Sequence, residues 1–126
     1  MSIIPKVVLR KLLEYQVIER TPGRIRFKFN GPEFIYNQLE PYDKYFKVAI
    51  LLLDGIDKVE FNYIIGTLCI LYDIKRIDED KVLKWINKII EIGVENQEVI
   101  EEYSNTDIEY LENLLEKQLK EEIERL

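Results

Sequence analysis

Alternation with a period of two marks three short segments of this chain. Apolar and polar residues alternate in 24–29 and 59–63, and in 67–72 Leu68, Ile70 and Tyr72 alternate with Thr67, Cys69 and Leu71. A period of two is typical of a β-strand with one buried face. In the first segment the apolar side is Ile25, Phe27 and Phe29, and the polar side is Arg24, Arg26 and Lys28. Gly66 ends the turn between the other two, which predicts a hairpin. An extended stretch, 15–19, comes earlier, and we expect Thr21-Pro22-Gly23 to interrupt pairing there with a turn or bulge.

Apolar residues spaced three and four apart predict helices elsewhere. The predicted helical ranges are 5–14, 41–53, 78–92 and 107–126, with a helical turn at 33–40. Asp78 is a natural N-cap, and Gly93 is expected to end the helix that Asp78 begins.

The order of these elements predicts an α+β fold of the ferredoxin-like type, with an antiparallel sheet and both main helices on one face. A last strand is expected within 94–103. The predicted domains are an N-terminal helical extension at 1–14, the ferredoxin-like domain at 15–103 and an amphipathic helix at 104–126. The third strand should lie beside the first, so that the cations of segment 24–29 share the open face with Thr67, Cys69 and Leu71.

Composition narrows the class of protein. The chain has 126 residues and a net charge of -6, with one cysteine, and no apolar run reaches the ~18 residues that span a bilayer. We expect no membrane insertion and a cytoplasmic location. Residues 1–30 hold seven basic and two acidic side chains, whereas 95–126 hold three basic and eleven acidic ones. The acidic end either meets the basic one, within a chain or across a dimer, or is simply solvated.

Catalysis and cofactor binding find little support. Histidine is absent, serine is limited to Ser2 and Ser104, and no glycine-rich phosphate loop occurs. The acidic run 78–80 is better explained by helix capping than by a cation site. Nucleic-acid binding is not expected either, because the chain is acidic and the alternation turns Phe27 and Phe29 inward. We expect neither an enzyme nor a cofactor.

Several short motifs resemble those of the heavy-metal-associated domain, a small ferredoxin-like metal-trafficking module also found at the ends of metal-pumping P-type ATPases. The similarity spans roughly 15–92. The motifs are Thr21-Pro22-Gly23-Arg24-Ile25-Arg26, Leu53-Asp54-Gly55-Ile56-Asp57-Lys58-Val59, Asn62 with Gly66, and Leu71-Tyr72-Asp73. Members of the family's cysteine-poor branch look similar at these places. The resemblance implies the same fold, and it implies metal handling only where metal ligands are present.

In metal-carrying members of that family, a Cys-x-x-Cys pair follows the first strand. Here the corresponding stretch, 30–40, has no cysteine or histidine, and Glu33 and Glu40 are hard ligands that do not make a selective soft-metal site. We therefore expect no metal site. Cys69 is only a weak metal candidate, because one thiol in each subunit would have to bind an ion across a dimer, and a small apolar strand residue is the plainer interpretation.

The last helix carries an apolar stripe that includes Leu111, Leu115 and Leu119, and it must bury that stripe on the open face or on a second subunit. The leading hypothesis is a non-enzymatic binding or assembly domain. Its partner would be a protein, such as a membrane transporter or scaffold component, or a second copy that meets it through the sheet face or the last helix. The expected contact residues are Arg24, Arg26, Lys28, Leu71 and those three leucines. The alternative is a metal-handling accessory protein of a transport system that binds an ion across subunits.

Overall fold

A computed structural model describes residues 5–126, so the first four residues of the expected 1–14 extension lie outside the described part. In chain order the elements are α1 Lys6–Leu12, β1 Tyr15–Thr21, β2 Arg24–Phe29, α2 Glu33–Leu39, a 3-10 turn Glu40–Tyr42, α3 Asp43–Leu51, β3 Ile56–Asn62, β4 Thr67–Tyr72, α4 Glu79–Glu95, α5 Gln97–Tyr103 and α6 Ile108–Arg125.

The four strands form one antiparallel sheet in the order β1-β2-β4-β3. Since β4 lies beside β2 and the sheet combines with helices, the α+β, ferredoxin-like arrangement is confirmed. The fourth strand of the sheet comes from a different segment than the expected 94–103. β1 is a separate strand that pairs with β2 across the turn at Pro22-Gly23, and it occupies one edge of the sheet.

The prediction of a last strand within 94–103 was wrong, because this stretch is helical. Gly93 does not stop α4: the helix continues to Glu95, and Val94 is completely buried. Adding one more apolar residue to the buried stripe of an amphipathic helix favours continuation over a turn. The expected start of α4 is confirmed, since the Asp78 carboxylate accepts a hydrogen bond of 2.8 Å from the Lys81 backbone N–H.

The core fills the space between one face of the sheet and the helices. It contains strand residues with helix residues of α3 and α4, among them Ile25, Phe27, Ile50, Leu68, Ile70, Val82, Trp85 and Ile86. Trp85 is fully buried, and its indole N–H donates to the carbonyl oxygen of Ile50 at 3.1 Å. Leu119 of α6 belongs to the same core. Every helix that reaches this core thus packs on the same side of the sheet.

Candidate interaction surface and the loop at its end

The other side of the sheet carries the cations that the alternation predicted. Three cross-strand pairs define it: Arg24 with Leu71, Arg26 with Cys69, and Lys28 with Thr67. Residues directly opposite each other in an antiparallel pair point to the same face, and the intervening residues Ile25 and Phe27 are fully buried in the core. We call the surface formed by these three pairs, together with their cross-strand neighbours Glu19, Lys58 and Glu60, the open face.

Ion pairs organise the charges of the open face. Glu19 of β1 contacts two arginines, with Arg24 Nη1 at 2.6 Å and Arg26 Nη1 at 3.3 Å. On the opposite edge Lys58 Nζ lies 2.9 Å from Glu60 Oε1. The open face therefore carries four cations against two carboxylates in a chain whose net charge is -6.

A shallow depression of about 90 Å³ lies within the open face, lined by Arg24, Lys58, Glu60, Cys69 and Leu71. Its floor combines the half-buried Cys69 thiol with the Leu71 side chain, and its rim is charged. The pKa of Arg24 is raised, mainly by the adjacent Cys69 and then by the charge of Glu19. This arrangement suits an aliphatic side chain that is flanked by carboxylates.

The loop that follows β2 adjoins one end of the open face, and the Tyr36 side chain packs inside this loop. The Tyr36 side chain is buried, and its hydroxyl lies 2.8 Å from the Phe29 carbonyl and 2.7 Å from that of Gly31, to which it donates its proton. Lys28 Nζ lies 5.4 Å from the centre of the Tyr36 ring and also donates to the Ile65 carbonyl. The loop is thus held by a buried phenol.

Gly31 and Gly66 lie so close to neighbouring atoms that neither position has room for a side chain. A Cβ on Gly31 would lie 2.8 Å from the Leu12 backbone oxygen, and a Cβ on Gly66 would lie 2.2 Å from the Tyr36 ring. Both distances are below what real Cβ atoms tolerate, so the loop is packed against the end of α1 on one side and against the β3–β4 turn on the other.

The donors around the loop do not fit a soft metal ion. The loop residues Asn30-Gly31-Pro32 and the first turn of α2 contain neither cysteine nor histidine. Across residues 5–126, no group of three or more His, Cys, Asp or Glu side chains is arranged to hold a metal ion. Soft ions such as Cu(I) select thiolate or thioether ligands, whereas this loop presents carbonyl oxygens, of which that of Gly31 already accepts the Tyr36 proton.

The leucines expected at a protein contact lie elsewhere. Leu111 and Leu119 are buried and Leu115 is half-buried, because α6 packs on α4 and α5 of the same chain. The stripe therefore packs within the chain and does not cover the open face, and a contact of α6 with a second subunit stays a prediction.

A polar pair fixes that packing. Asn96 and Gln118 exchange two amide hydrogen bonds, of 2.8 and 3.0 Å, between the end of α4 and the middle of α6. The polar side chain of Gln118 is thus paired within the chain, at the contact of α6 with the end of α4.

Sequence reasoning missed the three open-face residues outside the central strands, Glu19, Lys58 and Glu60. The alternation around Val59 contained the signal for two of them, since it places Lys58 and Glu60 on the side away from the core. Glu19 was hidden because a bulge between Val17 and Glu19 shifts the register of β1.

No helix within residues 5–126 combines the length and apolar character needed to cross a membrane.

A family model described as heavy metal associated domain 2 matches residues 9–126. A search of curated proteins and a search of solved structures each returned no match.

Proposed function

This chain belongs to the heavy metal associated domain 2 family, and we propose that it acts by binding another protein through the open face, without catalysis and without a metal ion of its own. The single observation that carries the proposal is a sheet face, rich in cations, that no helix within residues 5–126 covers in an otherwise acidic chain. Helices cover the opposite face, so the charged side remains available to a partner.

Charge and shape together suggest the chemistry of the partner. Four cations against two carboxylates favour an acidic surface, and complementary potentials mainly raise association rate and specificity. The depression beside Cys69 and Leu71 accepts one aliphatic side chain at the centre of the contact. We therefore propose an acidic protein segment with an aliphatic anchor, on a component such as a transporter or a scaffold.

Site-specific photo-crosslinking in the native cell tests this role. A photoreactive residue at Leu71 should capture a defined partner, whereas the same residue at the exposed Lys84 of α4 should not. Arg24→Glu with Arg26→Glu should abolish the Leu71 adduct. The matched control is Lys84→Glu with Lys120→Glu, which changes net charge equally and removes exposed ion pairs on the helical side. Equal adducts from both sites, or an adduct that survives reversal of the two arginines, would contradict the proposal.

Metal handling remains the second candidate, favoured by the family's description and by the position of Cys69. Its thiol is half-buried in the middle of the open face, so two copies stacked through that face would bring two thiols together. Elemental analysis of protein purified without added metal separates the candidates. A stoichiometric transition metal that disappears in Cys69→Ser supports metal handling and removes the docking proposal.

A further inference from the structure

We propose that the segment formed by residues 5–13 docks this protein onto an anionic lipid surface, lying at the level of the headgroups without crossing the bilayer. The segment contains three basic residues, Lys6, Arg10 and Lys11, and no acidic residue. The rest of the chain holds fifteen basic and twenty-four acidic residues. An anionic surface would attract this segment, which carries no carboxylate, more than the open face, where two carboxylates offset part of the charge of four cations, and it would repel the rest of the acidic chain.

The outward side of α1 carries apolar side chains next to a cation. No residue of α1 is buried, and Val7 and Val8 are 68% and 45% exposed. Lys11 follows them by four and three residues, so it lies on the same side of the helix. A short basic helix with an exposed apolar side is typical of segments that lie in a membrane interface.

Exposed ion pairs hold α1 to the body. Lys6 Nζ lies 2.8 Å from Glu95 Oε2, and Arg10 Nη2 lies 2.6 Å from Glu91 Oε1 and 2.7 Å from Glu95 Oε1. Their side chains are 43% to 52% exposed, and pairs in such positions contribute little to stability. Lipid phosphates are anions that the same cations can bind, so exchanging carboxylates for phosphates leaves no cation unpaired.

The geometry favours a lipid surface over an acidic protein. Val7, Val8 and Lys11 form one exposed strip on a helix of only seven residues, and a lipid surface can bind such a strip without the shape complementarity that a protein partner requires. Because α1 packs on α4, on the helical side of the sheet, docking through α1 leaves the open face directed away from the lipid. The inference is independent of the proposed function, and it would bring the open face close to membrane-bound partners.

Vesicle flotation of the full chain tests the inference. We expect binding to vesicles that contain phosphatidylglycerol and none to vesicles of phosphatidylcholine alone, with binding lost as salt is raised. Val7→Asp with Val8→Asp should weaken binding at least about tenfold, because two apolar contacts are lost. Val48→Asp is the control, since Val48 is 63% exposed on α3, far along the chain from α1. Circular dichroism confirms that each variant is folded.

A second pair of variants tests the exchange of ion pairs. Glu91→Gln with Glu95→Gln frees Lys6 and Arg10, and should strengthen binding to the anionic vesicles by up to roughly thirtyfold. Glu116→Gln with Glu121→Gln changes net charge equally on α6 and should have a smaller effect. The inference is overturned if the native chain ignores anionic vesicles, binds phosphatidylcholine equally, responds to Val48→Asp as strongly as to the α1 change, or shows no difference between the two glutamine pairs.

Discussion

Gly66 offers the sharpest test of the packing at the end of the open face. It lies in the β3–β4 turn with a φ of 71°, a conformation that residues other than glycine adopt with strain. A Cβ there would lie 2.2 Å from Cε2 and 2.4 Å from Cζ of Tyr36. The ring is only 4% exposed and its hydroxyl is engaged by the loop, so it has no open space into which to move.

The expected cost of Gly66→Ala has three parts. The left-handed backbone costs an alanine about 1 kcal/mol. Displacing the Tyr36 ring overpacks the site by about 1–3 kcal/mol, and losing its hydrogen bond costs about 1 kcal/mol more. The total is about 3–5 kcal/mol, a large part of the 5–15 kcal/mol that typically separates a folded domain from its unfolded state.

Gly93 provides a matched control in the same chain. A Cβ on Gly93 would meet nothing within 4 Å, and the residue lies inside α4. Gly93→Ala should therefore stabilise the protein by about 1 kcal/mol, through helix propensity alone.

Urea unfolding reports both changes, because Trp85 is the single tryptophan and is fully buried. Thermal unfolding should agree, at about 4 °C for each kcal/mol in a chain of this length. If Gly66→Ala were as stable as the native protein, or if the two alanine variants shifted stability in the same direction, the description of the Tyr36 loop would be refuted.

Three further changes test other contacts by the same unfolding assay. Burial raises the pKa of Asp43, but the hydrogen bonds from Tyr63 and Lys47 lower it more, so the pKa in the folded protein lies below its ordinary value. The two hydrogen bonds therefore stabilise the fold fully above the ordinary aspartate pKa, and this stabilisation is lost as the pH falls through the pKa of the folded protein. Tyr63→Phe should cost about 1 kcal/mol at neutral pH, and its difference from the native protein should shrink in acid; a constant difference would contradict the pairing. Gln118→Ala should cost about 1–2 kcal/mol, because Asn96 Oδ1 loses its hydrogen-bond donor while Asn96 Nδ2 keeps the Ile92 carbonyl. Adding Asn96→Ala should then cost less than it does in the native protein, whereas strict additivity would argue against the amide pair. Leu119→Ala should cost about 2–4 kcal/mol because α6 is part of the core, and an effect under ~1 kcal/mol would place α6 outside it.

Features that depend on neighbours in the chain could be predicted from the sequence. The alternation of segment 24–29 correctly placed its cations on one face, opposite Cys69 and Leu71. The capping role of Asp78 also followed from local chemistry, because a carboxylate at that position can reach the backbone N–H three residues ahead. The absence of thiol and imidazole donors after β2 needed only the list of residues.

Tyr36 shows where local reasoning ended. The sequence around Tyr36 did not predict that its hydroxyl lies at the carbonyls of Phe29 and Gly31. It also did not predict that the Tyr36 ring packs against Gly66. That contact joins segments 30 residues apart in the chain, and only their packing in three dimensions makes it visible.

By itself, the sequence determined which segments are strands and helices in most of this protein, which strand side chains face outward, and that soft-metal donors are missing from the loop. Tertiary structure alone decided that β1, and not segment 94–103, forms the fourth strand, and that α6 covers α4 and not the open face. Periodicity and capping are set by residues within a turn or two of each other. Which distant segments pack together instead depends on which arrangement buries the most apolar surface while pairing the buried backbone hydrogen-bonding groups. Residues far apart in the chain contribute to that outcome together.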